Sequence, residues 1–141
     1  MAEKKYGVVY TPDSLADFVA ELLNKIIRQD RLIQVENILD PACGEGALLS
    51  AYKKKSSSKI NYIGIDVDLE ATENIPKDFK VYKSDTILPK TKKKTHEYWK
   101  NKLPKIQAII ANPPWSSEKI YTRDELHQAG FSLTDGQYDS Y

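Results

Sequence analysis

The chain has 141 residues, of which 40% are hydrophobic and 29% charged, and its formal net charge is +1. These values are typical of one modest globular domain, and no apolar run approaches the length that crosses a membrane. Cys43 is the single cysteine, so an internal disulfide is excluded, and the N-terminus lacks the long apolar segment of a secretory signal. We therefore expect a cytoplasmic protein without membrane association.

Two runs of three lysines, at 53–55 and 92–94, stand out against the near-neutral charge. Solvated loops or helix ends would account for both runs. A phosphate-facing patch is the alternative interpretation. The sequence does not distinguish the two.

The first predicted element is a helix that follows Tyr10. Thr11 suits the N-cap, Pro12 suits the first helical position, and Asp13 adds a negative charge that the helix dipole favours. Apolar residues then recur at helical spacing over nearly four turns: Leu15, Phe18, Val19, Leu22, Leu23, Ile26 and Ile27. The pattern predicts an amphipathic helix.

Four strand-like segments follow, at residues 37–40, 61–66, 80–83 and 106–111. The first, second and fourth are apolar almost throughout, as in strands that are covered on both faces. Helical segments separate them, at 47–55, 69–74 and roughly 92–102. The alternation predicts an α/β fold of the doubly wound class, with a partial parallel sheet of about four strands and flanking helices.

Polar side chains follow each predicted strand: Asp40, Asp66, Asp85 and Asn112. The carboxyl ends of parallel strands meet at one edge of a sheet, and ligands of such sheets bind beyond that edge. We therefore expect a ligand site there.

The first strand opens into the sequence DPACGEG, residues 40–46. Gly44 and Gly46 predict a tight turn in which a ligand can approach the backbone closely. A simple strand-to-helix turn would explain the glycines equally well, but Asp40 and Pro41 in front of them make a ligand-binding turn more specific.

Asp66 lies about 20 residues beyond the glycines, where a carboxylate can accept hydrogen bonds from ribose hydroxyls. Val67 beside it suits an adenine face. The alternative role for Asp66 is a helix N-cap, although Asp68 suits that role better. Asp85 can accept from an exocyclic amine, or it can be an ordinary turn aspartate.

The sequence IIANPPW, residues 109–115, ends the fourth strand. Proline has no N–H to donate to a ladder, and the residue before a proline avoids helical geometry. The turn is therefore stiff, and it holds Asn112 and Trp115 at the rim of the sheet. This turn could simply end the strand, or it could form the floor of a binding site.

These motifs form an ordered set that resembles the adenine-N6 DNA methyltransferases: YTP at 10–12, DPACGEG, GIDVD at 64–68, SDTIL at 84–88 and IIANPPW. The YTP box at 10–12 resembles the arrangement found in type I methylation subunits and in fused restriction–modification enzymes. The resemblance implies a Rossmann-like methyltransferase fold, S-adenosylmethionine as cofactor, and methyl transfer to N6 of a flipped adenine in DNA. It also implies a specificity subunit or target-recognition domain outside this chain.

The resemblance assigns the catalytic motif to Asn112, Pro113, Pro114 and Trp115. The side-chain oxygen of Asn112 and the carbonyl of Pro113 would bind the two hydrogens of the adenine amine. The prolines would fix those acceptors, and Trp115 would stack on the flipped base.

The cofactor contacts are also implied by the resemblance. Near the methionine end they would be Tyr10, Thr11 and Pro12, and around it Asp40, Ala42, Gly44 and Gly46. Asp66 would accept from the ribose, Val67 would face the adenine ring, and Asp85 would accept from the adenine amine. Thr86 replaces an aromatic residue of many relatives, so looser adenine packing is expected. No metal site is predicted, and Cys43 is expected to be buried rather than nucleophilic.

We expect residues 1–115 to form the N-terminal helix, the cofactor-binding part and the catalytic loop of a methyltransferase domain. Residues 116–141 are expected to be a loop and the truncated start of a further element. Because such sheets usually contain more than four strands, we expect the chain to be a fragment that is inactive alone.

Other functions stay open. Protein-glutamine methyltransferases also use Asn-Pro-Pro followed by an aromatic residue, and RNA is a further acceptor. The chain could instead be a non-catalytic fragment that binds cofactor or assembles into a methylation complex. A dinucleotide-dependent oxidoreductase would need a third close glycine, and NPPW would have no role in it.

Overall fold

The computed structural model describes residues 10–30, 34–56, 59–113 and 121–133. The strands in these ranges are β1 (Asn37–Asp40), β2 (Asn61–Asp66), β3 (Lys80–Lys83) and β4 (Ala108–Ile109). The helices are α1 (Asp13–Gln29), α2 (Ala47–Lys55), α3 (Leu69–Glu73), α4 (Thr95–Lys102) and α5 (Arg123–Ala129). Within the described ranges, no helix combines the length and the hydropathy that a bilayer crossing requires.

The four strands form one parallel sheet in the order β3-β2-β1-β4. Leu39 of β1 lies beside Ile63 of β2 and Ile109 of β4. The predicted α/β class with a parallel sheet and flanking helices is therefore confirmed. Strands β1, β2 and β3 and helix α2 also have the predicted bounds.

Both faces of the sheet are covered. On one face, Ile38 packs in a cluster with Ala16 of α1 and Leu49 of α2. On the other face, Leu39 packs in a cluster with Trp99 of α4. Successive side chains of a strand point to opposite faces, so burial on both sides explains the nearly continuous apolar sequences of β1 and β2.

Strand β4 is shorter than the predicted segment 106–111. Backbone hydrogen bonds extend its pairing by one residue at each end, from Gln107 N to Asn37 O and from Ile110 N to Leu39 O. Beyond Ile110 the chain runs towards Pro113, which has no N–H to continue a ladder.

Helix α1 begins at Asp13, and its N-cap residue is Pro12. The carbonyl of Pro12 accepts a hydrogen bond from Ala16 N at 2.9 Å. The hydroxyl of Thr11 accepts instead from the side-chain amide of Asn112 at 3.2 Å. The prediction that Thr11 caps the helix and Pro12 begins it is therefore wrong.

The remaining helices differ from prediction at their ends. Helix α3 stops one residue early, and the side chain of Asp68 caps it as expected. Helix α4 begins at Thr95 rather than near 92, because Lys94 is extended and the Thr95 hydroxyl donates to Ile87 O at 2.7 Å. Helix α5, within the stretch predicted as a loop and the start of an element, begins at a capping box of Thr122 and Glu125.

Candidate active site

A cavity of about 310 Å³ opens at the carboxyl ends of the strands. Its wall combines residues that follow all four strands with residues that precede α1. The predicted site residues that line it are Tyr10, Thr11, Asp40, Ala42, Gly44, Asp66, Val67, Asp85, Asn112 and Pro113. Pro12 and Gly46 are not in its wall, and Pro114 and Trp115 lie outside the described residues.

The glycine turn after β1 has the conformation that its sequence predicts. Gly44 and Gly46 have φ values of +49° and +80°, in the left-handed region that favours glycine. A Cβ built on Gly44 would meet no atom within 4 Å, so the space beside this backbone is open. The turn therefore offers bare backbone to a ligand in the cavity.

Asp66 links this turn to the end of β2. One carboxylate oxygen accepts from Gly44 N at 2.6 Å, and the other accepts from Asp68 N at 2.8 Å. The N-cap of α3 is Asp68, so Asp66 is not required for capping. Its carboxylate instead holds the glycine turn against the second strand.

Asp40 is a carboxyl group in the protein interior, 1% exposed. Burial raises the pKa of Asp40 to about 7, the hydrogen bond from Ala42 N acts against this shift, and the nearby charge of Asp66 adds to it. Burial dominates because it disfavours the charged form. Asp40 is therefore a group at the cavity wall that titrates near neutral pH.

Cys43 is buried, as expected, and its N–H donates to Ile65 O at 3.0 Å. Burial, followed by the charges of Asp40 and Asp66, raises the pKa of its thiol above the ordinary range. A raised pKa disfavours the nucleophilic thiolate. Gly64 makes this packing fit, because a Cβ at that position would lie 2.6 Å from the Cys43 sulfur.

Asp85 has two sets of partners. One carboxylate oxygen accepts from Ile87 N and Leu88 N, at 2.8 and 3.0 Å, which is the turn role left open by the sequence. The other oxygen accepts from the hydroxyl of Tyr121 at 2.8 Å. Asp85 and Tyr121 both line the cavity.

Thr86 anchors the segment after β3. Its hydroxyl donates to Pro41 O at 2.5 Å, and its carbonyl accepts from the indole of Trp99 at 2.7 Å. Thr86 thus joins the first and third strand ends through its hydroxyl and its carbonyl. Ile87 and Val67 supply apolar wall at this end of the cavity.

The catalytic corner predicted after β4 reaches the cavity through Asn112 and Pro113. The side-chain nitrogen of Asn112 donates to the hydroxyl of Thr11, just before α1. This contact brings the YTP and NPPW motifs together at one wall. The bond engages the amide nitrogen, so the amide oxygen is the acceptor that Asn112 offers to a substrate.

Three residues of the site escaped the sequence interpretation: Tyr121, Thr86 as an anchor, and Gly64. The sequence T-R-D-E at 122–125 matches a capping box and predicts a helix start directly after Tyr121, but it does not report the contact between Tyr121 and Asp85. Thr86 and Gly64 act through contacts with Pro41 and Cys43, which are distant in sequence, and no local pattern reports them.

Comparison with known proteins identifies relatives over most of the chain. The family model of the N-6 DNA methylases matches residues 1–137. The methylase subunit of the type I restriction enzyme MjaVIII of Methanocaldococcus jannaschii is 28% identical over 127 residues, which cover 81% of this chain and 20% of that subunit. The chain therefore spans about a fifth of the length of that relative.

One solved structure that matches is the plantazolicin methyltransferase BpumL, in complex with a pentazolic desmethylPZN analog and SAH. The match has a TM-score of 0.48 and 17% sequence identity, and it covers 85% of this chain and 57% of that one.

Proposed function

We propose, since the chain belongs to the N-6 DNA methylase family, that it carries the cofactor site and the catalytic loop for methylation of adenine N6 in DNA. The family uses S-adenosylmethionine, which supplies the methyl group when bound. The observation that carries the proposal is that Gly44, Asp66 and Asn112, far apart in sequence, line one cavity.

The cavity suits a nucleoside cofactor. A volume of about 310 Å³ falls at the lower end of the range of about 300–1,000 Å³ that is usual for ligand sites. The open space beside Gly44 would admit the cofactor against the backbone of the turn. Val67 and Ile87 would provide apolar contact for its adenine ring.

The carboxylates would orient the cofactor. A carboxylate offers about four lone-pair sites, so Asp66 can accept from ribose hydroxyls while it retains Gly44 N and Asp68 N. The same count lets Asp85 accept from the adenine amine beside the Tyr121 hydroxyl. Tyr121 therefore joins the sequence-predicted residues as a candidate for the adenine end.

Asn112 and Pro113 would orient the substrate. The exocyclic nitrogen of adenine is a poor nucleophile, because its lone pair is delocalised into the ring. The Asn112 side-chain oxygen and the Pro113 carbonyl would accept its two hydrogens and favour a nitrogen whose lone pair points at the methyl group. Such orientation lowers the barrier by holding the reacting atoms in line.

The proposed acceptor is an adenine in duplex DNA. A target base inside a duplex is out of reach, so the adenine would have to flip out, and Trp115 would stack on it. The name of the Methanocaldococcus relative supports a restriction–modification role with further subunits. Residues 1–115 would then carry the cofactor site and the catalytic loop.

The cofactor half of the proposal is tested by calorimetry with S-adenosylmethionine. Asp66→Asn should weaken binding about tenfold or more, because a hydrogen bond to a charged group contributes about 1.5–3 kcal/mol. Asp17→Asn, on the exposed side of α1, is the matched control and should bind like the wild type. Equal affinities for the two variants, or no binding by the folded wild type, would refute the cofactor site.

The acceptor is tested by incubating the chain with tritiated S-adenosylmethionine and three acceptors: adenine-containing duplex DNA, RNA and a glutamine peptide. Label in the DNA that is lost in Asn112→Ala, with cofactor binding retained, would establish the catalytic role of Asn112 and would contradict the expectation that the chain is inactive alone. Label in the RNA or the peptide would replace DNA as substrate. Cofactor binding without label in any acceptor is the result expected for a fragment that is inactive alone, and it also fits the non-catalytic alternative.

A further inference from the structure

The positive charge of the chain is concentrated in one segment. Residues 80–105 contain nine lysines and only two acidic residues, Asp85 and Glu97. This gives the segment a net charge of +7 in a chain whose net charge is +1, so the rest of the chain is acidic on balance. The segment covers β3, the loop after it, α4 and the approach to β4.

The lysines of β3 and α4 flank one aromatic cluster, formed by Tyr82, Tyr98 and Trp99. The ring centroid of Trp99 lies 6.0 Å from that of Tyr82 and 4.9 Å from that of Tyr98. The ammonium of Lys80 lies 5.1 Å from the Tyr82 ring, and that of Lys102 lies 4.7 Å from the Tyr98 ring. Strand and helix therefore present their charges on a shared surface, here called the lysine face.

The lysine face lies next to the cavity wall, because α4 is hydrogen-bonded to two residues of that wall. The indole of Trp99 donates to Thr86 O, and the hydroxyl of Thr95 donates to Ile87 O, both at 2.7 Å. Thr86 and Ile87 line the cavity. We include in the lysine face the exposed lysines Lys90, Lys92 and Lys93, which lie on the loop between these two residues and α4.

The two lysine runs of the sequence differ in their surroundings. In the run 53–55, Lys53 pairs with Asp78, and Lys55 pairs with Glu21 at 3.3 Å. Among the described residues, no lysine of the segment 80–105 lies within 4 Å of a carboxylate oxygen. The charge of the run 53–55 is partly compensated by carboxylates, whereas the lysines of the run 92–94 are exposed to solvent.

We propose that the lysine face binds the phosphates of duplex DNA beside the cavity. The choice of DNA rests on the proposed function, and the choice of phosphate contacts rests on the residue type. Lysine is a compact point charge that binds phosphate without reading sequence. A duplex carries one phosphate charge per about 1.7 Å of axis, which matches a surface with many uncompensated lysines. Such contacts fix the position of the duplex and leave sequence recognition to other groups.

The test compares two triple variants with equal loss of charge. One carries Lys90→Gln, Lys92→Gln and Lys93→Gln, and the other carries Lys53→Gln, Lys54→Gln and Lys55→Gln. Lys94 is kept, because its ammonium donates to Gln128 O at 2.6 Å. Binding of a labelled duplex of mixed sequence is followed by fluorescence anisotropy between about 50 and 200 mM salt, with circular dichroism to verify folding.

Each phosphate contact contributes about 0.9 to the slope of log affinity against log salt. That slope is negative. We expect its magnitude to fall by about 2–3 in the 90/92/93 variant and to stay unchanged in the 53/54/55 variant. Lys100→Gln, on the exposed side of α4, should lower it by about 0.9 and extends the test to the helix. Equal slopes for the two triple variants, or an unchanged slope in the 90/92/93 variant, would overturn the proposal.

Failure of this proposal is distinct from failure of the proposed function. The 90/92/93 variant should bind S-adenosylmethionine as the wild type does, because its substitutions lie outside the cavity wall. A slope change confined to that variant supports the lysine face even if the wild type binds no cofactor. Cofactor binding with no DNA binding at low salt would overturn the lysine face alone.

Discussion

The two walls of the cavity are held in different ways. The turn at 40–46 is fixed by backbone groups: Gly44 N donates to Asp66, Ala42 N donates to Asp40, and Cys43 N donates to Ile65 O. The catalytic corner is joined to the start of α1 by a bond between two side chains, from Asn112 to Thr11.

Under the proposed function, this difference separates the residues that bind the cofactor from the residues that orient the substrate. The proposed cofactor wall depends on the central strands and on the carboxylates of Asp40, which is buried, and Asp66, which is half-buried, so changes there should alter stability and affinity together. The catalytic corner depends on a contact at the rim, so a change there should alter turnover with little effect on the fold. The following predictions test this distinction.

Asp40→Asn should have the largest effect, and the effect should depend on pH. The pKa of Asp40 in the folded protein is about 7, against an ordinary value of 3.8. The folded state therefore holds a proton that the unfolded state has lost between about pH 4 and 7, so wild-type stability falls as pH rises through this window. The loss approaches roughly 4 kcal/mol above pH 7, at 1.36 kcal/mol per unit of pKa.

Asparagine does not titrate and can still accept from Ala42 N. Urea unfolding across pH 4–8 should therefore show a flatter stability profile for Asp40→Asn, with the variant more stable than the wild type at pH 8. Parallel profiles for the two proteins would show that Asp40 is not protonated in the folded state.

Gly64→Ala tests the packing behind the cofactor wall. Its Cβ would lie 2.6 Å from the Cys43 sulfur, so the variant should lose about 1–3 kcal/mol of unfolding free energy. Adding Cys43→Ala removes the sulfur and leaves the Cβ of residue 43 at 3.1 Å, so the double variant should be more stable than Gly64→Ala alone. Additive effects of the two substitutions would mean that the clash is relieved in some other way.

Thr11→Val tests the catalytic corner and should have the smallest effect on the fold. It removes the acceptor for the Asn112 amide at similar side-chain volume, which should cost about 1 kcal/mol in denaturant unfolding. Methyl transfer should fall, with S-adenosylmethionine affinity changed by a few-fold at most. A large loss of affinity would show instead that Thr11 contacts the cofactor, as the family resemblance implies.

The sequence predicted the elements whose signals are local. Strands β1 and β2 are apolar runs that end at aspartates, and α2 follows a glycine turn, so their bounds could be read directly. The motifs at the strand ends likewise indicated the cavity, because parallel strands bring their carboxyl ends together.

What the sequence could not predict depends on distant partners. Threonine is a residue type that is favoured at the N-cap, but the hydroxyl of Thr11 accepts from Asn112, which lies 101 positions away. Asp85 was interpreted without Tyr121, 36 positions away. A propensity describes what a residue can do locally, and in both cases a tertiary contact determined which role it takes.

The bond between Thr11 and Asn112 also has a kinetic consequence. It closes a loop of about a hundred residues, and contacts of such long separation form late because the intervening chain must first lose its freedom. We therefore expect the strands between them to assemble before this corner forms. In the native protein the same bond should be among the first to open. The side-chain amide hydrogens of Asn112 should therefore exchange with solvent faster than the backbone amide hydrogens at the centre of β1.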